Sequence, residues 1–329
     1  MSEGPTADGA VDAAPERRRA TWPVRVGQAV AVGGLAVVAW ALATAWGAVV
    51  HGHPAYAVLL VLTVLGCVAA LWRSRRPTTA RGRARRVLGV VLTVAAIGWI
   101  GAIAWLRPFV AVEPALEATG SDDVVTVTQT PTRVELTPVG ESSGTAVLFQ
   151  PGAKVEARAY AAVLRPLAEA GHTVVIVKQP LSIGFLATGA LDAARADLPA
   201  VERWVVGGHS LGGVVAAMEA DAADTDATAP AVGLLLYASY PAGDVGDTLT
   251  AAVESVSGTE DGLSTPEAIE ASRADLPAGS SFTVVDGAVH AFFGDYGPQP
   301  GDGTPTISHD DARQQISAAS RAFVDGLSG

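Results

Sequence analysis

The 329-residue chain contains a single cysteine, Cys67, set in an apolar run. One cysteine closes no intrachain disulfide and builds no multi-cysteine zinc site, so neither staple holds this chain. A thiol in such surroundings serves as a small buried or lipid-facing apolar group. Acid is scarce at the front and base is scarce at the back: residues 1–107 carry 12 Arg against 4 Asp+Glu, and residues 108–329 carry 10 Lys+Arg against 29 Asp+Glu. The acidic part lacks the basic face that nucleic acid requires, so no nucleic-acid partner is expected. Histidine is sparse as well, with six in all. His51 and His53 share a short loop without a carboxylate beside them, which reads as polar loop chemistry rather than a metal pair. No metal and no organic cofactor are called for.

Long apolar runs are what the front of the chain does have. Residues 1–22 are rich in Ala, Gly, Asp, Glu and Arg without apolar periodicity, and read as a disordered tail. Three runs follow, at residues 26–50, 56–72 and 87–106. A bilayer is crossed by roughly 20 apolar residues, with about 17 at the short end. Trp22, Trp40, Trp46, Trp72, Trp99 and Trp105 lie in or beside these runs, several near run ends, as in an interfacial aromatic belt. A cleavable signal peptide would be shorter, would end in a small-residue cleavage site, and would not be followed by two more runs.

Charge orients the three spans. The loop RSRRPTTARGRARR, residues 73–86, has seven arginines and no acid, whereas HGHP, residues 51–54, has neither Lys nor Arg. Positively charged loops stay in the cytoplasm, so the tail and the arginine loop face inward and everything after Leu106 faces outward. The expected organisation is a cytoplasmic tail (1–22), a three-helix transmembrane region (23–106), a linker leading away from the membrane (107–122) and an extracytoplasmic domain (123–329). The protein is expected in the cell membrane as a multi-pass chain, with the lipid bilayer as a partner of its N-terminal helices.

In the domain, short apolar strands alternate with helical patterns, which implies an α/β fold with a mostly parallel sheet covered by helices on both faces. Its centre is RWVVGGHSLGGVVAAM, residues 203–218: a short strand, a turn of small residues and an apolar helix. Gly208-His209-Ser210-Leu211-Gly212 stands at the turn. This is the G-x-S-x-G pattern of a nucleophile elbow, in which a tight strand-to-helix turn lifts a serine above the sheet. The pattern alone is weak in a chain with 36 glycines. The strand before it and the helix after it give it weight.

Together with VLFQPGAKVEARAY (residues 147–160), SGTEDGLST (257–265) and DGAVHAFFGDYG (286–297), the elbow block resembles the α/β-hydrolase superfamily. The likeness is to its compact dienelactone-hydrolase-like branch, which includes the hydrolase fold-5 domains. It covers roughly the last two thirds of the chain and none of the apolar runs. A serine needs a base, and the base an acid to hold it. In this fold they follow in the order Ser, acid, His. Only His290 and His309 lie beyond Ser210. The resemblance places the catalytic histidine after the last strand, at His290; His309, in the first turn of the closing helix, is expected at the surface. For the acid it implies Asp261, with Asp244 and the neighbouring Glu260 as rivals, and it gives Asp286 a turn role. The oxyanion needs two backbone N–H donors, expected at Leu211 and at Ala153, with Gly152 as the alternative. Lys154 is open to two readings, an attractor for an anionic substrate or a surface lysine.

The resemblance implies a membrane-anchored serine hydrolase of small carboxylic esters or lactones that works through an acyl-enzyme without a cofactor. A catalytically silent binding or sensor module of the same fold, and an acyltransferase, are the alternatives. The segments between blocks are too short for a lid domain, so an open site preferring short acyl groups or small lactones is expected.

Overall fold

The computed structural model describes residues 22–76 and 82–327. The tail read as disordered, up to residue 21, and the middle of the arginine loop lie outside these residues. Three long helices come first: α1 (Trp22–His51), α2 (Pro54–Ser74) and α3 (Arg83–Trp105). All three are long and apolar enough to cross a membrane. Each extends a little beyond its apolar run, because polar residues at the ends still continue the backbone hydrogen-bond ladder. Small residues Ala31, Gly34, Ala41, Ala45 and Ala48 form the buried face of α1, which lets neighbouring helices approach closely. Polar side chains pin the bundle where they meet: Tyr56 Oη donates to the Ile103 carbonyl (3.1 Å), and Trp99 Nε1 to Thr63 Oγ1 (2.9 Å). Most of α3 remains exposed, apolar side chains included.

The second part is an eight-stranded sheet, ordered β1-β2-β4-β3-β5-β6-β7-β8. The strands are β1 (Val125–Gln129), β2 (Arg133–Pro138), β3 (Thr145–Gln150), β4 (Thr173–Val177), β5 (Arg203–His209), β6 (Ala231–Tyr237), β7 (Ala252–Gly258) and β8 (Ser281–Val285). Pairings β1–β2 and β2–β4 are antiparallel, and all the others are parallel. Alternation along β3 shows how the sheet serves two cores. Val147 and Phe149 pack with α4 (Ala161–Glu169) and α8 (His309–Gly326) on one face. Ala146 and Leu148 pack with α5 (Ala190–Asp197) and α6 (Leu211–Ala223) on the other. Successive side chains of a strand point to opposite faces, so a strand covered on both sides reads as a continuous apolar run. A further short helix, α7 (Pro266–Ala271), follows β7.

Residues 107–122, expected as a linker, lie against the domain. Phe109 pairs with Val155 as an isolated parallel bridge, Val112 N–H donates to the Asp295 carbonyl (2.9 Å), and Ala115 is fully buried. The apolar positions of this stretch find a partner in the domain, which the sequence pattern did not disclose. Contact with the helices continues on both sides of it. Arg107 donates to the Thr44 hydroxyl (2.7 Å) and carbonyl (2.8 Å) in the C-terminal part of α1. Leu181 and Ile183, from the loop after β4, pack against a cluster containing Val38, Ala41, Tyr56, Leu60, Ile103 and Leu106.

Candidate active site

Ser210 stands between β5 and α6 with φ 52° and ψ −125°. A side chain other than glycine in this region costs on the order of 1–3 kcal/mol and persists only where its surroundings enforce it. Here they do. A Cβ on Gly208 would land on the Gly212–Gly213 backbone, and one on Gly212 on the carbonyls of Gln150 and Pro151. Ser210 N–H donates to the Tyr237 carbonyl (3.0 Å), and Ser239 Oγ donates to the Ser210 carbonyl (2.7 Å). The serine side is therefore held by β6 and its following loop as well as by the glycines.

Two N–H groups expected at the site, the one after the serine and the one in the loop after β3, have no protein acceptor among the described residues. Leu211 is the first residue of α6, where an N–H has no acceptor within the helix. Ala153, in the loop after β3, makes no backbone bond. The alternative, Gly152, is occupied: its N–H donates to Tyr160 Oη at 2.9 Å.

His290 and Asp261 lie side by side because β7 and β8 pair in parallel with Gly258 opposite Val285, so the loops beyond both strand ends emerge together. His290 Nδ1 is 2.9 Å from Asp261 Oδ2, and both residues are buried. The other carboxylate oxygen, Oδ1, accepts N–H bonds from Leu263 (2.8 Å) and Ser264 (2.7 Å). A carboxylate only accepts, so Nδ1 carries the proton. Nε2 of His290 is buried without a hydrogen-bond partner among the described residues, Ser210 included. Asp244 is exposed and caps Gly246 N–H, Glu260 is exposed, and Asp286 accepts from Thr259 Oγ1 in the turn. None of these three is bonded to His290. His309 stacks flat on Phe292 at 4.4 Å.

Lys154 is drawn into neither reading made for it. Its Nζ donates to the Trp105 carbonyl that ends α3 (3.1 Å) and lies over the Trp105 and Phe109 rings. Burial, helped by Arg107, lowers the basicity of this amine.

Two further groups shape the site without having been singled out in the sequence. Asp302 accepts from the N–H groups of Gly262 (3.2 Å), His290 (3.0 Å), Ala291 (2.8 Å) and Gly303 (2.8 Å). It ties the Asp261 loop to the His290 loop. It sits in a Gly/Pro/Asp-rich stretch that reads only as loop. The second group is a pair: Tyr160 Oη lies 2.8 Å from His209 Nδ1. That oxygen also accepts from Gly152 N–H, so the phenol links the loop after β3 to the elbow. Burial, followed by the neighbouring His290, holds His209 neutral, with its pKa well below the ordinary histidine value. The His209 and His290 rings stand 4.5 Å apart. His209 is the variable position of the elbow pattern, so the motif gave no reason to ask about it.

A strained serine at a strand-to-helix turn, free N–H donors beside it and a buried carboxylate–imidazole pair on a mostly parallel sheet define an esterase-like α/β hydrolase fold. The alpha/beta hydrolase family model matches residues 146–315, just over half of the chain, and the chain belongs to that family. Among solved structures it is similar to an esterase from the planctomycete Thermogutta terrifontis, with 14% identity and a TM-score of 0.43 over 64% of this chain and 94% of that one. It is also similar to a thermostable esterase from Pseudomonas putida, with 15% identity and a TM-score of 0.46 over 65% and 87%. A Pyrobaculum calidifontis esterase gives 16% identity and a TM-score of 0.46 over 64% and 89%. No curated protein matches the chain in sequence.

Proposed function

We propose that this protein is a membrane-anchored serine hydrolase that cleaves a carboxylic ester or lactone through an acyl-enzyme. The observation that carries the reading is the His290–Asp261 hydrogen bond beside an elbow serine that has two unpaired N–H groups next to it. Ser210 Oγ attacks the carbonyl carbon while His290 Nε2 takes its proton, and the carbonyl oxygen becomes an oxyanion held by the Leu211 and Ala153 N–H groups. Asp261 keeps the imidazole in the tautomer that leaves Nε2 free to accept, and stabilises the imidazolium. The imidazolium then protonates the departing alkoxide, leaving an acyl group on Ser210. Water, activated by the same nitrogen, releases the acid and restores the serine. The missing Ser210–His290 bond fits a free enzyme whose contact closes on substrate.

An alcohol in place of water would make the same site an acyltransferase. A silent binding module would have no use for the strain stored at Ser210. Labelling with a fluorophosphonate probe tests the reading: wild type labels and Ser210→Ala does not. Absence of label on folded wild-type protein would overturn it.

In this reading the three helices span the cell membrane and the domain from about residue 123 lies on the extracytoplasmic side, following the arginine-rich loop between α2 and α3. A phosphatase that works only outside the cytoplasm, fused after Gly329, should be active. A silent fusion, with an active cytoplasmic reporter at the same place, would reverse the orientation.

A further inference from the structure

Residues 180–186, the loop after β4, join the outer end of the helix bundle to the elbow. Leu181 and Ile183 pack into the cluster of the three helices, and Leu181 and Ser182 hold φ values of 55° and 54°. The Ser182 carbonyl accepts from Lys154 N–H (2.7 Å), one residue from Ala153. Gly184 abuts Val215 in α6, close enough that an added Cβ would stand 3.0 Å from its methyl group. Beyond it, Phe185 is 48% and Leu186 54% exposed, and Met218, one turn further along α6 from Val215, is 50% exposed. The loop after β3 is tied to the same bundle end, since Lys154 Nζ bonds the Trp105 carbonyl and Phe109 N–H donates to the Lys154 carbonyl (2.7 Å). Tryptophan at the end of a spanning helix marks the headgroup level. The loops after β3 and β4 are therefore both moored at that level, and the second carries exposed Phe185 and Leu186 two and three residues beyond its anchor at Ile183. Exposed apolar patches of this kind mark membrane contact.

The geometry points to a membrane-resident amphiphile as the substrate: an acyl ester whose hydrocarbon chain lies along Phe185, Leu186 and Met218 and remains rooted in the adjacent leaflet while its ester reaches Ser210. This deepens the serine-hydrolase reading and rests on it. It departs from the short-acyl preference that the lack of a lid suggested. That expectation took the site to open onto water, whereas the bundle end borders it on the side of residues 180–186.

The experiment uses the full chain reconstituted in phosphatidylcholine vesicles. Turnover of p-nitrophenyl palmitate carried in the vesicles is compared with that of water-soluble p-nitrophenyl acetate. The palmitate ester should be cleaved, and Phe185→Ser combined with Leu186→Ser should lower the palmitate-to-acetate ratio at least tenfold, mainly through the apparent KM for palmitate. Replacing both residues by tryptophan, which suits the interface, should keep the ratio near wild type. Labelling of Ser210 by the fluorophosphonate reports whether each variant is folded. If Ser210 labels but the vesicle-borne ester is not cleaved, or if the serine variant lowers both esters equally, the inference is overturned while the hydrolase reading stands. If wild-type Ser210 does not label and neither ester is cleaved, the hydrolase reading fails and the inference falls with it.

Discussion

The two walls of the site are built from different lengths of chain. On the histidine wall, Asp261, His290 and the Asp302 carboxylate that ties their loops together all come from the chain between β7 and α8. On the wall proposed to hold the oxyanion, the loop of Ala153 is tied through Gly152 to Tyr160 and so to His209 in the elbow, and through Lys154 to Ser182 after β4 and the Trp105 end of α3. The first wall is local and self-contained. The second collects its supports from nearby Tyr160 and from three places distant in the chain, one of them the end of α3. A local wall tolerates disturbance of the helix bundle, whereas a distributed one transmits it.

The largest effect should come from breaking the histidine wall at its carboxylate. Asp261→Asn keeps the shape and removes the charge, and kcat on an ester should fall by up to about 10⁴-fold. Asp244→Asn and Glu260→Gln, exposed and unconnected to His290, should stay near wild type. If folded Asp261→Asn keeps most of its activity and Asp244→Asn loses it, the acid has been misassigned.

Asp302 comes next. Hydrogen bonds to a charged group are worth about 1.5–3 kcal/mol each, although the exposed side of this cluster regains water when the carboxylate is lost. Asp302→Ala should lower kcat by roughly 10- to 100-fold, and Asp302→Asn, which keeps one acceptor, by less. Equal losses in both variants would mean that charge rather than loop geometry is at stake.

On the other wall, Tyr160→Phe strands Gly152 N–H and His209 Nδ1 in a buried place. A stranded buried group costs about 1–3 kcal/mol, so a lower Tm and a kcat reduced about tenfold are expected. Asp302 and Tyr160 share no hydrogen-bond partner, and the walls meet where the His209 and His290 rings stand 4.5 Å apart, so Asp302→Ala and Tyr160→Phe should combine additively in ΔΔG‡ to within about 0.5 kcal/mol. A larger coupling measured in the double variant would show that the walls act as one.

The smallest effect is expected at Lys178, directly after β4. Its Nζ donates to the Thr130 carbonyl (2.9 Å). Burial, then the Arg158 charge, pushes its pKa down to about 8, with Glu156 opposing. A lysine in the unfolded chain titrates near about 10.4. The folded state therefore favours the neutral amine, and stability falls as pH drops from above the unfolded value through about 8. Lys178→Met carries no such charge, so its Tm should fall less than that of wild type between pH 10.5 and pH 7.5 on the order of these pKa values. Parallel Tm curves for the two proteins would contradict this.

How far the sequence reached depended on the range of the interaction. The elbow was legible because Gly208 and Gly212 answer a steric demand within a few residues of Ser210. The helices were legible because a bilayer-length apolar run is a property of one segment. The core strands were legible because burial on both faces removes the polar alternation. Ser210, Asp261 and His290 could be nominated from their order along the chain, since the order of elements in this fold is also a one-dimensional fact.

Other features depended on folding. The bond between Asp261 and His290 rests on the register of β7 against β8, and Asp302 reaches that pair across a loop with no periodicity to mark it. Tyr160 meets His209 across 49 residues, and residues 107–122 found a seat on the domain where their composition suggested a spacer. By itself the sequence determined which segments seek lipid, which form the sheet and where a strained serine can stand, because each follows from local sterics or from transfer out of water. Only the tertiary structure decided what steadies that serine's surroundings and which loops the three long apolar helices touch, because such contacts join residues whose separation along the chain says nothing about their distance in space.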